Sequence, residues 1–125
     1  MKREEVRAQI EQIGIIPGVR TSTARMALFA AESVNQAGIP VAEITLTVPG
    51  AVGVIYELAT KYSNFIVGAG TVLDVETAKQ CLEAGARFLT SPGLVPEVVE
   101  FALKNDVAII PGALLVDENT FELGI

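Results

Sequence analysis

Hydrophobic residues along this chain fall into two alternating textures. Five short, dense apolar runs carry many β-branched residues: IGIIPGV (13–19), VAEITLTV (41–48), FIVGAGTV (65–72), RFLTSPG (87–93) and VAIIPGALL (107–115). Runs of this length, punctuated by Gly and Pro, predict strands. Between them, apolar residues recur at three- and four-residue spacing over 1–12, 23–37, 51–62, 74–84 and 95–104, which predicts amphipathic helices. In the second of these, the spacing puts Met26, Phe29, Ala30, Val34 and Ala37 on one face. Local chemistry marks the boundaries. Thr21 or Ser22 is placed to cap the second helix and Asp74 the fourth; Gly85 closes the fourth, and Pro96 falls in the first turn of the fifth.

The order is α-β repeated five times, with strand-to-strand steps of about 20–28 residues, the length of a βα unit with short loops. Alternating units of this kind predict a parallel sheet joined by right-handed crossovers. The second strand separates a barrel from an open sheet. Val41, Glu43, Thr45 and Thr47 share one face, and Ala42, Ile44, Leu46 and Val48 share the other. An open sheet covers both faces with helices and leaves a polar face hard to place. In a TIM-type (β/α)₈ barrel the inner face turns polar toward the catalytic end. The expected fold class is therefore α/β, with parallel units of a TIM-type barrel. A dinucleotide fold is disfavoured, because GAGTVLD has no third glycine at the required spacing.

Composition narrows the function. With 125 residues, half of them hydrophobic, the chain is expected to form one domain spanning 1–125. A formal net charge of −6 with only nine basic residues leaves no stripe for a phosphate backbone, so no nucleic-acid partner is expected. There is no histidine, which removes His-based triads and most zinc sites, and no metal is expected. Cys81 stands alone in a helical pattern and reads as a small core residue. The charged start MKREEVRAQI is followed by no apolar signal core or spanning run, so the expectation is no membrane and a cytoplasmic location.

Barrels keep their chemistry at the C-terminal ends of strands. Polar residues collected there are Arg20, Glu43 with Thr47, Thr71, and Thr90 with Ser91; Arg20, Glu43 and Thr71 are expected to converge on one hollow. Glu43 is the most informative, because an unpaired buried carboxylate costs several kcal/mol and so either stays neutral or finds a partner. Such a group suits proton transfer near neutral pH. The plainer alternative is a structural ion pair with Arg20 on the neighbouring strand. Arg20 can otherwise clamp a carboxylate or phosphate. Thr71 follows GAG, where backbone approaches a ligand closely, or it caps the next helix. Lys61, Lys79 and Lys104 fall in or near helices and are expected to face solvent.

The motifs VAEITLTVPGA, VGAGTVLD, EAGARFLTSPGL and VAIIPGALL, in this order, resemble the 2-keto-3-deoxy-6-phosphogluconate (KDPG) / 4-hydroxy-2-oxoglutarate (KHG) aldolase family; IIPGVRTSTARMALFAAESVNQAGI is similar to that family's first strand and helix. The resemblance runs from about Ile13 to Leu115. It implies a class I aldolase: a lysine forms a Schiff base with pyruvate or a 2-keto acid, no cofactor is needed, and the protein assembles as a homo-oligomer, the trimer of the family. Residue by residue it implies Glu43 as the proton shuttle and Arg20, Thr47, Thr71, Ser91 and Pro92 as substrate-binding. Thr47 stands where some members have Arg. The family's Schiff-base lysine lies on a sixth strand in a K-x-F-P-like motif, and this chain has no counterpart; after Leu115 it reads VDENTFELGI where the family continues with TPTE and a helix. The expectation is the N-terminal portion of the barrel, about five of eight strands, with two outcomes: part of an aldolase, or a non-catalytic half-barrel that self-assembles.

Overall fold

A computed structural model describes residues 1–113; the last two residues of the predicted fifth strand and the segment VDENTFELGI lie outside the described residues. Five helices and five strands alternate: α1 (Arg3–Ile13), β1 (Gly18–Val19), α2 (Ala24–Gln36), β2 (Val41–Thr45), α3 (Ala51–Lys61), β3 (Ile66–Gly70), α4 (Val75–Glu83), β4 (Phe88–Ser91), α5 (Pro96–Lys104) and β5 (Ala108–Pro111). The strands form one parallel sheet in sequential order β1-β2-β3-β4-β5.

The two faces of this sheet are covered differently. Ala42 and Ile44 of β2, Val67 and Ala69 of β3, and Leu89 of β4 pack with Ala27, Val54, Ala78 and Val98 from α2, α3, α4 and α5. All four crossover helices thus lie on one face, the arrangement of a barrel wall and not of a doubly wound sheet. On the other face, Val41, Ile66, Phe88 and Ala108 form a second apolar layer with Val6 of α1, flanked by Ile10, Ile13, Ile16 and Ile39. The amphipathic α1 therefore plugs the N-terminal ends of the strands and leaves their C-terminal ends free for polar groups.

Several details differ from the sequence reading. The first strand is only Gly18–Val19, because Ile13 completes α1 and Gly14 ends that helix in the left-handed region at φ 87°. The second strand ends at Thr45; the chain then turns, and Val48 is buried beside the start of α3. The α2 cap is Thr23, not Thr21 or Ser22; its hydroxyl accepts the Met26 N–H at 3.1 Å. The buried face of α2 is Ala27 and Ala31, while Met26 and Phe29 are 52% and 76% exposed. Small side chains let this helix lie close against the sheet, so the large ones turn outward. The other caps match expectation: Asp74 accepts the Thr77 N–H at 2.7 Å, and Pro96 opens α5. Gly85 follows α4 at φ +109°, and a Cβ there would fall 2.6 Å from that of Ala59.

Candidate active site

The register stacks the inward-facing residues in rows. Gly18, Glu43, Gly68, Phe88 and Ala108 occupy one row across the five strands. Thr45 and Gly70 pair in the next row toward the C-terminal ends, and Thr90 pairs with Ile110. Glu43 therefore sits between two glycines, one on each neighbouring strand. Neither offers a side chain, and on the Gly18 side the space beside the carboxylate is open. Below it the Phe88 ring fills the space over Gly68, where a Cβ would overlap the ring. Above it the carboxylate leans over Gly70: Oε1 lies 2.5 Å and Cδ 2.9 Å from where a Gly70 Cβ would stand. The Thr90 Oγ1 occupies the same place from the other side.

Glu43 is half-buried, and its strand neighbours Ala42 and Ile44 are fully buried. Among the described residues it makes no ion pair; the salt bridges there join Arg3–Glu4, Arg7–Glu11 and Lys61–Glu32. The structural pairing of Glu43 with Arg20 is thus not what the fold uses. Arg20 is exposed, one residue beyond β1 at the C-terminal end. Thr45 on Glu43's face is 5% exposed. Thr47 is exposed in the turn after β2.

Thr71 lies just beyond the end of its strand, in the loop that leads to α4. The third strand ends at Gly70, whose Cα faces the carboxylate, and Thr71 is the first residue of the loop that follows. Thr71 lines a hollow of about 490 Å³ with Leu46, Gly50, Leu73 and Asp74, between the loops after β2 and β3. Thr71 and Glu43 thus lie at the same end of adjacent strands. In the hollow, the backbone N–H of Thr77 and then its hydroxyl, 2.9 Å away, hold the Asp74 carboxyl below the usual carboxylate range.

In the loop after β4, the Ser91 hydroxyl donates to the Gly93 carbonyl at 2.8 Å. The Pro92 carbonyl packs so closely on Gly112 that a Cβ there would overlap it. Sequence reasoning counted Thr90 among the polar strand ends without assigning it a role, and read the glycines of GAG only as room for a ligand beside Thr71. The signal was present in the alternation of FLTS, which puts Thr90 on the face of Phe88. All four lysines lie off the strands: Lys2 precedes α1, Lys61 and Lys104 end α3 and α5, and Lys79 is within α4, and all four are exposed. Cys81 is a core residue on α4, and burial pushes its thiol up to about 11.

Comparison with known proteins adds a consistent set of likenesses. The family described as KDPG and KHG aldolase matches residues 6–125. The chain is 36% identical over 118 residues to a 2-dehydro-3-deoxy-phosphogluconate aldolase of Treponema pallidum, covering 93% of this chain and 56% of that protein. It is 34% identical over 104 residues to the KHG/KDPG aldolase of Escherichia coli K12, covering 83% and 49%. Its fold is similar to that of the Legionella pneumophila KDPG aldolase, solved with pyruvate captured as a covalent carbinolamine intermediate; the TM-score is 0.80 at 32% identity, covering 88% of this chain and 54% of that one. The chain spans about half the length of the relatives it matches.

Proposed function

The chain belongs to the KDPG and KHG aldolase family, and from that membership we propose that it carries the proton-transfer portion of a class I aldolase site, with Glu43 as acid and base. The five strands are then part of a TIM-type barrel, and the substrate is a 2-keto-3-deoxy sugar acid, cleaved to pyruvate and an aldehyde. The observation that carries this reading is Glu43 itself: a carboxylate in mid-strand, between glycines, with no ion-pair partner among the described residues. In the cleavage, the substrate is held as an imine. The C3–C4 bond breaks and its electron pair moves into the imine to give an enamine. The C4 hydroxyl loses its proton and becomes the aldehyde carbonyl, and a proton returned to C3 regenerates the imine of pyruvate. Glu43 is the group on this chain placed to take and return those protons. Arg20 and Thr47 rim the opening and meet the anionic ends of the substrate, with Thr71 and the Ser91–Pro92 backbone shaping its edge.

The imine-forming amine is not one of this chain's lysines, because all four project from helix surfaces or the N-terminus. This placement also favours a second reading, in which the chain performs no chemistry and its property is assembly. One experiment separates them. Mixing the chain with the second half of the Escherichia coli relative restores pyruvate release from KDPG, and Glu43→Gln abolishes it. Activity surviving in the Gln variant, or no activity in the mixture, refutes the catalytic reading. Borohydride trapping with pyruvate on the chain alone gives no adduct; an adduct on Lys2, Lys61, Lys79 or Lys104 refutes the lysine assignment.

The exposed Met26 and Phe29 support homo-oligomeric assembly, a trimer in this reading. Among the described residues no helix is long and apolar enough to cross a membrane. The unpaired Cys81 supports a reducing, cytoplasmic setting.

A further inference from the structure

We propose that Thr90 is a substrate-binding residue of the Glu43 niche, and that it recognises the neutral hydroxyl group on which the cleavage acts. The inference rests on the aldolase reading above and adds to it a residue which that reading does not use.

Three observations carry it. First, the Thr90 hydroxyl and the Glu43 carboxylate meet over the same atom, the bare Cα of Gly70, and come from strands on either side of β3. The Val72 N–H donates to the Thr90 carbonyl at 2.9 Å and fixes β4 against the end of β3 at this level. Second, the two hydroxyls of β4 have different fates. Ser91 donates to the Gly93 carbonyl, whereas the Thr90 hydroxyl has no hydrogen-bond partner among the described residues. A half-buried hydroxyl with its donor unspent, in a row floored by glycine, is ready to bind a ligand oxygen. Third, the charge beside it selects which oxygen. An ionised carboxylate only accepts hydrogen bonds, and it repels a carboxylate or phosphate oxygen. The oxygen that fits between Glu43 and Thr90 donates to the first and accepts from the second. That is an alcohol.

In retro-aldol cleavage this alcohol is the C4 hydroxyl. Its proton passes to Glu43 as the C3–C4 electron pair moves into the imine, and the Thr90 O–H stays on the same oxygen as it becomes a carbonyl. Thr90 gains and loses no proton. It holds the oxygen where Glu43 can reach it.

The test uses two ligands that differ by that one hydroxyl, 4-hydroxy-2-oxoglutarate and 2-oxoglutarate, each titrated into the intact chain and followed by amide chemical shifts in NMR. Thr90→Val weakens binding of the hydroxylated ligand about fivefold, the worth of one hydrogen bond, and leaves 2-oxoglutarate unchanged. Thr90→Ser binds both as the wild type does. Equal weakening of both ligands, or none, overturns the role of Thr90 while the aldolase reading stands. If neither ligand shifts the amides of Glu43, Gly70 or Thr90 in the wild-type chain, the aldolase reading of the niche fails and this proposal fails with it.

Discussion

Replacing Gly68 by alanine tests the row architecture on which the niche depends. Gly68 faces Phe88 across β3 and β4. A methyl group on Gly68 would stand 2.5 Å from the ring's Cε1 and closer still to Cε2 and Cζ. Carbon atoms prefer separations of about 3.5–4.0 Å, so the ring must retreat by about 1 Å or more. It has nowhere to go: Phe88 is fully buried, and Val6, Val41, Ile66 and Ala108 are packed around it. Overpacking a filled core costs about 1–3 kcal/mol, and the rigidity of this surround places Gly68→Ala near the upper value, about 3 kcal/mol. Gly70→Ala is the control. Its methyl meets the Glu43 carboxylate and the Thr90 hydroxyl, the free ends of two half-buried side chains that can swing into the open niche. Its cost is below about 1 kcal/mol. Urea denaturation followed by circular dichroism, with the slope checked for constancy, measures both. A Gly68→Ala chain within about 0.5 kcal/mol of wild type, or a Gly70→Ala chain as damaged as Gly68→Ala, refutes the packing argument.

Three further outcomes follow from the same structure. Burial, and secondarily the charge of Asp74, raise the Cys81 thiol to about 11, while an unfolded thiol titrates near 9. The unfolded chain therefore releases its proton first, and stability falls as pH rises from about 9 to 11, by roughly 2–3 kcal/mol. The stability difference between wild type and Cys81→Ala shows this fall, and a difference that stays flat across that window refutes it. Thr23→Ala removes the cap on the Met26 N–H and costs about 1 kcal/mol in the same denaturation assay, whereas Ser22→Ala stays within about 0.5 kcal/mol; the reverse ranking refutes the cap assignment. Phe29→Ser, on the outer face of α2, gives a smaller particle in sedimentation velocity with unchanged secondary structure; an unchanged particle size rules this face out as the contact surface.

The five strands, their order, the Asp74 cap and the core place of Cys81 were all legible in the sequence, because each depends on local period or local chemistry. The polar face of β2 was legible too, since alternation alone puts Glu43 opposite Ala42 and Ile44. Distances between elements were not. The period of α2 finds two apolar stripes and cannot say which one faces the sheet. Hydrophobicity favours Met26 and Phe29, but the close approach of helix and sheet admits only Ala27 and Ala31. The end of the third strand was misjudged for a related reason. The run FIVGAGTV reads through to Val72, while the strand stops at Gly70. The role of Gly70 was invisible, because its value lies in what two other strands place over it.

The glycines around Glu43 also answer the question that residue raises. A carboxylate enclosed in an apolar core costs several kcal/mol unless it is paired. The fold supplies no pairing charge; it removes the enclosure. Gly18 leaves open space, with nothing within 4 Å of where its Cβ would stand, while Gly68 makes room for the Phe88 ring and Gly70 for the Glu43 carboxylate and the Thr90 hydroxyl. The carboxylate thereby keeps contact with solvent or ligand from mid-strand. The layer beneath, Val41, Ile66 and Phe88 against Val6 of α1, is correspondingly dense and fully apolar. The inner face is thus divided along its length: the N-terminal half holds the sheet together, and the C-terminal half gives up packing to keep a hollow. A structural glutamate would need a pairing charge and no hollow. The open flank at Gly18 and the cradle shared by Glu43 and Thr90 over Gly70 make sense only if something else is meant to enter the space beside Glu43.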